Sequence, residues 1–284
     1  MNASTVRVFP SRTTATPYDP MAFVGDPPLF RPEAAEVHVS CAFTWDVPEA
    51  RRLARAWGHY YPTVKIGGPA IDDPGGEFVP GKYLQPGNVI TSRGCPNHCA
   101  FCFVPDREGP IRTLPIADGH ILHDNNLLAC PDSHIADVLT MLARQKHRPV
   151  FAGGLESRRV TKDFAKAIKP LKCRAFLAYD RPGDAKAVKQ AAEILLAEIG
   201  HESDHWLSCF VLVGFKGDTM EAAEGRLRYV LDMGLTPLAM YYLPKTAKSR
   251  TAPPPWRKFV RSWARPAAVW SQKNTAQPLD GHGG

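Results

Sequence analysis

From residue 89 to residue 263, short apolar runs rich in β-branched and aromatic residues take turns with longer stretches whose apolar residues recur at helical spacing. Strands are read at 89–91, 120–123, 149–152, 174–179, 207–213 and 237–242, and helices at 133–145, 161–168, 184–199, 219–233 and 255–263. A helix that returns the chain to the same edge lays the next strand parallel to the last, so the alternation predicts a parallel sheet curling toward a barrel. The fold class expected is α/β: a partial (βα)6 TIM-like barrel over residues 89–266, preceded by a small α/β extension. Ligands of such sheets gather at the carboxyl ends of the strands, and every polar or glycine-rich run noted below follows a strand.

Residues 1–35 are rich in proline and threonine, with a β-like piece at 6–9 and a Gly25-Asp26-Pro27-Pro28 turn, so little regular structure is expected there. At residue 36 the pattern changes. Val37, Val39 and Cys41 alternate as a strand, residues 48–60 read as a helix started by Asp46, and 63–66 form a second strand. This βαβ unit ends in Gly67-Gly68-Pro69 and the loop Asp72-Asp73-Pro74-Gly75-Gly76, which puts a boundary near residue 88. The extension is therefore 1–88, and residues 267–284 read as a flexible tail.

Hydrophobic residues make up 44% of the chain and charged ones 22%, the balance of an ordinary globular protein with a sizeable core. The longest apolar run, around 210–214, falls far short of the roughly 18 residues that span a bilayer. The N-terminus does not resemble a secretory signal, so a cytoplasmic protein with no membrane partner is expected. Seven cysteines, three crowded together and Cys41, Cys130, Cys173 and Cys209 isolated, do not make a secreted disulfide framework; metal ligation and buried thiols in a reducing compartment fit better. A net charge of +7 admits an anionic partner such as nucleic acid and equally serves solubility.

The crowded cysteines stand in Gly94-Cys95-Pro96-Asn97-His98-Cys99-Ala100-Phe101-Cys102, a C-x3-C-x2-C array just after a strand. Three thiolates at this spacing can hold three corners of a cubane iron–sulfur cluster and leave the fourth iron open to chemistry. The alternative is a structural zinc site completed by His98 or Cys130. Zinc usually takes four ligands in closely spaced pairs, and it does not account for Phe101 or for the preceding strand.

A strand, then C-x3-C-x-Phe-C, then five more βα units resembles the radical S-adenosylmethionine (radical SAM) superfamily, over about residues 88–245. The resemblance implies that Cys95, Cys99 and Cys102 ligate three irons of a [4Fe-4S] cluster. It also implies that the amino and carboxylate groups of SAM bind the fourth, with Phe101 near the adenine. The enzyme so implied cleaves SAM reductively and abstracts hydrogen from a substrate, with an electron donor such as flavodoxin or ferredoxin. Gly153-Gly154-Leu155-Glu156 follows the third strand; glycines permit close backbone approach and a carboxylate can accept from an ammonium. In the family a Gly-Gly-Glu loop there contacts the methionyl amine, and this chain inserts Leu155. The other reading is a tight strand-to-helix turn.

Asp180 ends the fourth strand, where the family commonly places a polar residue on the SAM ribose; the alternative is an N-cap for the helix near 184. Gly214, in Gly214-Phe215-Lys216-Gly217-Asp218-Thr219, resembles the family's turn near the adenine, with Asp218 as a helix cap the alternative. His123-Asp124-Asn125-Asn126 is read as a polar cluster facing the mouth of the sheet. The βαβ extension is similar to a fragment of the cobalamin-binding domain that precedes the radical domain in one subgroup, but no Asp-x-His-x-x-Gly run occurs. Trp256, Arg257, Lys258, Phe259, Arg261, Trp263 and Arg265 interleave bases with aromatics, which suits either a nucleic acid or an amphipathic closing helix. Two further readings follow: a zinc-dependent nucleic-acid-binding module, and a radical SAM enzyme that modifies a nucleic acid.

Overall fold

The computed structural model describes residues 4–200, 206–247 and 249–264; the tail 267–284 and Arg265 lie outside them. The chain divides into two compact units, one of residues up to Gly153 together with Pro244–Arg250, the other of Gly154–Leu243 together with residues from Thr251 onward.

The first unit opens with a sheet of four parallel strands, β1 (Thr5–Phe9), β2 (Ala22–Val24), β3 (Glu36–Ser40) and β4 (Val64–Gly67), in the order β2-β1-β3-β4. The expected βαβ unit is present as β3, helix α1 (Val47–Gly58) and β4. The N-terminal segment holds the expected β-like piece as β1 and departs from expectation in β2, a second strand paired with it. Its proline-rich composition reads as loop, and β2 is too short to show a period; pairing with β3, from Thr5↔Glu36 to Val8↔Val39, orders β1. Val6 and Val8 on β1, Val37 and Val39 on β3, and Ala50, Leu53 and Trp57 on one face of α1 form the core. Arg7 points off the other face of β1, is ion-paired to Asp19 and donates to the carbonyls of Gly81 and Lys82 at 3.0 and 2.9 Å, which ties down the approach to residue 88.

β5 (Asn88–Val89) leads into β6 (Ser92–Arg93), which pairs antiparallel with β7 (Arg112–Thr113) across a loop carrying the short helix α2 (Val104–Glu108). β8 (Ile121–Leu122), helix α3 (Asp132–Ala143) and β9 (Val150–Phe151) follow, and β5-β8-β9 form a parallel ladder.

The second unit runs α4 (Lys162–Ile168), β10 (Ala175–Tyr179), α5 (Ala185–Ile199), β11 (Leu207–Val213), α6 (Met220–Asp232), β12 (Thr236–Tyr241) and α7 (Pro254–Ser262). Its strands form the parallel ladder β10-β11-β12. Thr161 and Thr219 cap α4 and α6 by accepting from the N–H groups of Phe164 and Ala222 at 3.1 and 3.2 Å. The apolar runs on β11 and the i, i+3, i+4 spacing of Leu227, Val230 and Leu231 on α6 bury both elements. The protein is thus α/β with parallel strands, as expected, and no closed barrel is found among the described residues. Among them no helix is long and apolar enough to cross a membrane.

Candidate functional site

The three clustered cysteines lie in a loop, residues 94–111, whose stem is the β6–β7 pair. Gly94 has φ +82°, and a Cβ there would meet the Pro110 carbonyl oxygen at 2.2 Å, so only glycine lets the two ends of the loop close. The Cys95 N–H donates to Gly109 O at 3.2 Å, and the Cys102 N–H to Cys99 O at 2.9 Å, a tight turn inside the motif. All three cysteines are half-buried, and no disulfide joins any of the seven in the chain.

Glu108, at the end of α2, clasps this loop from within. Its carboxylate is buried and accepts from Gly94 N–H (3.1 Å), Asn125 Nδ2 (2.5 Å) and Arg107 Nε and Nη2 (3.0 and 2.6 Å), with Arg93 Nη1 at 3.9 Å. Arg112 donates to the Glu108 carbonyl at 2.7 Å and to the carbonyls of Pro74 and Gly75. A buried carboxylate needs this many donors, and it binds the loop's start, its helix and its neighbour into one piece.

The His123-Asp124-Asn125-Asn126 cluster at the end of β8 supplies the other brace. His123 Nε2 meets Asn88 Oδ1 at 2.7 Å, and burial lowers the pKa of its ring from the ordinary histidine value. Asp124, 2% exposed, accepts from Thr91 N–H and Oγ1 at 2.6 Å each and from Ser92 Oγ at 2.7 Å. Asn125 reaches Glu108, and Asn126 Nδ2 donates toward Cys95 Sγ at 3.4 Å. These groups, read from sequence as facing a mouth, are used in fastening the strand before the cysteines and the loop itself. Glu108 did not stand out in sequence, since Gly94 and Asn125, which it joins, lie 14 and 17 residues away.

Among the described residues no three His, Cys, Asp or Glu side chains gather as a ready set for one metal ion. A single zinc draws its sulfurs to about 2.3 Å from one point. A cubane spreads three thiolates over three metal atoms. Three half-buried thiols within eight residues, one of them receiving an amide N–H, are a donor set whose chemistry suits such a cluster. Of the residues considered as a fourth zinc ligand, His98 is exposed, and Cys130 is buried beside Ser92, its thiol pKa pushed up by burial.

Gly153 follows β9 and donates its N–H to Leu122 O at 3.2 Å, and a Cβ on it would lie 1.8 Å from the Asp124 carbonyl oxygen. Close backbone packing against β8 therefore requires glycine here. Gly153→Ala is expected to destabilise the protein by about 3 kcal/mol, the upper end of overpacking costs, as read from urea unfolding.

Gly154, Glu156, Asp180 and Gly214 belong to the second unit. Gly154 has φ +84°; the inserted Leu155 is 2% exposed and donates its N–H to Phe176 O at 2.7 Å, so the insertion is a core residue. Glu156 accepts from Arg159 Nε at 2.9 Å. Gly214 has φ +74°, with the Tyr241 ring 2.3 Å from where a Cβ would stand. Asp218 does not cap α6, the alternative raised from sequence: it accepts from Gly214 N–H and from Arg226, both at 2.8 Å, and Thr219 is the cap. Asp180 and Gly214 thus follow the carboxyl ends of neighbouring parallel strands. On α7, Arg257, Lys258 and Arg261 are exposed, while Trp256 packs on Tyr241 and Phe259 and Trp263 is 1% exposed, an amphipathic helix.

Asp180 is not the cap of α5; the residue before that helix is Asp184, paired with Arg158 and Arg181. Burial pushes the Asp180 carboxyl up to about 6, opposed by an N–H from Leu212. The folded state therefore holds this proton more tightly than the unfolded chain does. The stability it contributes is complete below pH 3.8 and is lost as pH rises through about 6. Asp180→Asn is expected to match the wild type at pH 3.5 and to exceed it by about 2 kcal/mol at pH 8, as followed by urea unfolding across that range. A constant difference at every pH would contradict this.

Comparison with known proteins adds no relative: no protein-family model matches the chain, and no curated protein matches it.

Proposed function

We propose that this chain is a radical SAM enzyme that holds a [4Fe-4S] cluster on Cys95, Cys99 and Cys102, cleaves S-adenosylmethionine reductively and takes hydrogen from a substrate. The observation that carries the reading is the C-x3-C-x2-C loop directly after the first strand of a parallel α/β ladder, closed by a buried carboxylate. In this reading the strands from β5 to β12, apart from the β6–β7 stem, belong to a partial (βα)6 barrel.

When bound, the cluster supplies a low-potential electron and one iron without a protein ligand. The chain's own residues do the rest. Three thiolates anchor the cluster, and the Asn126 amide N–H toward Cys95 Sγ offsets the charge on that sulfur, a contact that tunes reduction potential. Glu108 and Asp124 hold the loop rigid so that cluster and ligand keep their orientation. With SAM bound, Phe101 would pack near the adenine, the Gly153-Gly154 turn and Glu156 would contact the methionyl ammonium, Asp180 would accept from the ribose hydroxyls, and Gly214 would stand near the adenine. A flavodoxin or ferredoxin delivers the electron, and a reducing, cytoplasmic setting suits four buried thiols in a chain without a disulfide.

The test is anaerobic reconstitution with iron and sulfide, followed by dithionite and SAM. Formation of 5′-deoxyadenosine is the expected result. Stoichiometric zinc without sulfide, and no cleavage, would reject the reading in favour of a zinc module.

A further inference from the structure

At the carboxyl edge of the N-terminal sheet lies a cavity of about 570 Å3, within the size range of small-molecule sites. The strand order β2-β1-β3-β4 explains its position. The chain passes from β1 to β2 on one side and then to β3 on the other, so the order reverses between β1 and β3. A parallel sheet opens a crevice outside its strands' carboxyl ends at such a reversal, and ligands bind there. The lining includes Ser11 after β1, Phe43 after β3 and Gly68 after β4. Gly68, at φ +109°, has Cys41 O only 2.5 Å from its would-be Cβ, so glycine is what lets the ends of β3 and β4 approach.

The walls are apolar and partly aromatic, from Phe9, Val39, Ile66 and Phe78, with the Phe43 ring held parallel to Trp45 at 4.7 Å between centroids. The charged groups are unequally satisfied. Asp46 accepts from Ser11 Oγ, both Asp73 oxygens accept from the N–H groups of Gly68 and Gly75, Glu77 is exposed, and Lys65 pairs with Glu36. Lys82 lies over the Tyr83 ring. Arg93 differs from these. Its Nε is buried without a hydrogen bond, and its nearest carboxylate partner, Glu108 at 3.9 Å, is already bonded by Arg107. The rest of the side chain, 19% exposed, lines the cavity, where an anion would supply the countercharge that Glu108 gives mainly to Arg107.

We propose that this cavity binds a small organic anion with a flat, largely apolar body, its anionic group on Arg93. The N-terminal unit is then a ligand-binding element in its own right, whatever the cysteine loop holds.

The probes are 8-anilinonaphthalene-1-sulfonate and its uncharged counterpart N-phenyl-1-naphthylamine, titrated by fluorescence into the full-length chain under native conditions. Saturable binding of the sulfonate is expected at one site per chain. Arg93→Gln is expected to weaken the sulfonate at least tenfold and to leave the neutral probe within twofold of wild type. Ala42→Trp, an exposed lining position where added bulk fills the space, is expected to weaken both probes while the melting curve stays unchanged. Sulfonate binding that Ala42→Trp does not alter, equal losses of both probes in a folded Arg93→Gln, or no saturable binding to the wild type would each overturn the assignment.

Discussion

Alanine at any one of Cys95, Cys99 or Cys102 is expected to abolish iron and sulfide binding and SAM cleavage together, while Cys130→Ala leaves both at the wild-type level. Each of the three thiols anchors one corner of the proposed cluster, and two anchors on a loop do not retain it. Cys130 is 6% exposed beside Ser92, and burial keeps its thiol protonated, which makes it a packing group. The three motif cysteines are half-buried on a loop, so their removal costs the apoprotein little, within about 1 kcal/mol. The measurement is iron and acid-labile sulfide per chain beside a urea titration of each variant. Metal retained in all three variants, or lost in Cys130→Ala, would contradict the assignment.

Glu108→Ala is expected to cost about 3–5 kcal/mol and to open the cysteine loop, because it strips the countercharge from partly buried Arg93 and Arg107. The same change leaves the Gly94 N–H and the Asn125 amide without their acceptor. Glu108→Gln keeps an acceptor of the same shape and should lose less, about 1–3 kcal/mol. Urea unfolding gives the energies, and limited proteolysis within residues 94–111 reports the loop. A Glu108→Ala protein within about 0.5 kcal/mol of wild type and equally resistant to cleavage would show that the clasp does not hold the loop.

Chemistry confined to a few neighbouring residues was legible before the fold was known. The spacing of the three cysteines needs no tertiary information, and long apolar runs such as 207–213 became strands over the same residues. Helices with a clear apolar face, 161–168 and 219–233, differ from the observed elements only at their ends, where the capping threonines fix the start. Within 1–35 the β-like piece at 6–9 is β1, whereas β2 escaped notice because it is three residues long and draws its order from β1. Two-residue strands such as β6 and β7 carry no period at all. Gly153 shows a subtler limit. A glycine pair after a strand suggests close approach to a ligand, yet the neighbour that demands glycine at this position is the backbone of Asp124, far away in sequence. The polar run 123–126 likewise suggested ligands because its partners, Asn88, Thr91, Glu108 and Cys95, are set by the fold.

Electron paramagnetic resonance of the reconstituted, dithionite-reduced protein, recorded with and without SAM, tests the central claim most directly. A reduced [4Fe-4S] signal that shifts when SAM is added, and that disappears in Cys99→Ala, is the result predicted. A protein carrying one tetrahedral zinc, or a cluster whose signal SAM leaves untouched, would contradict it.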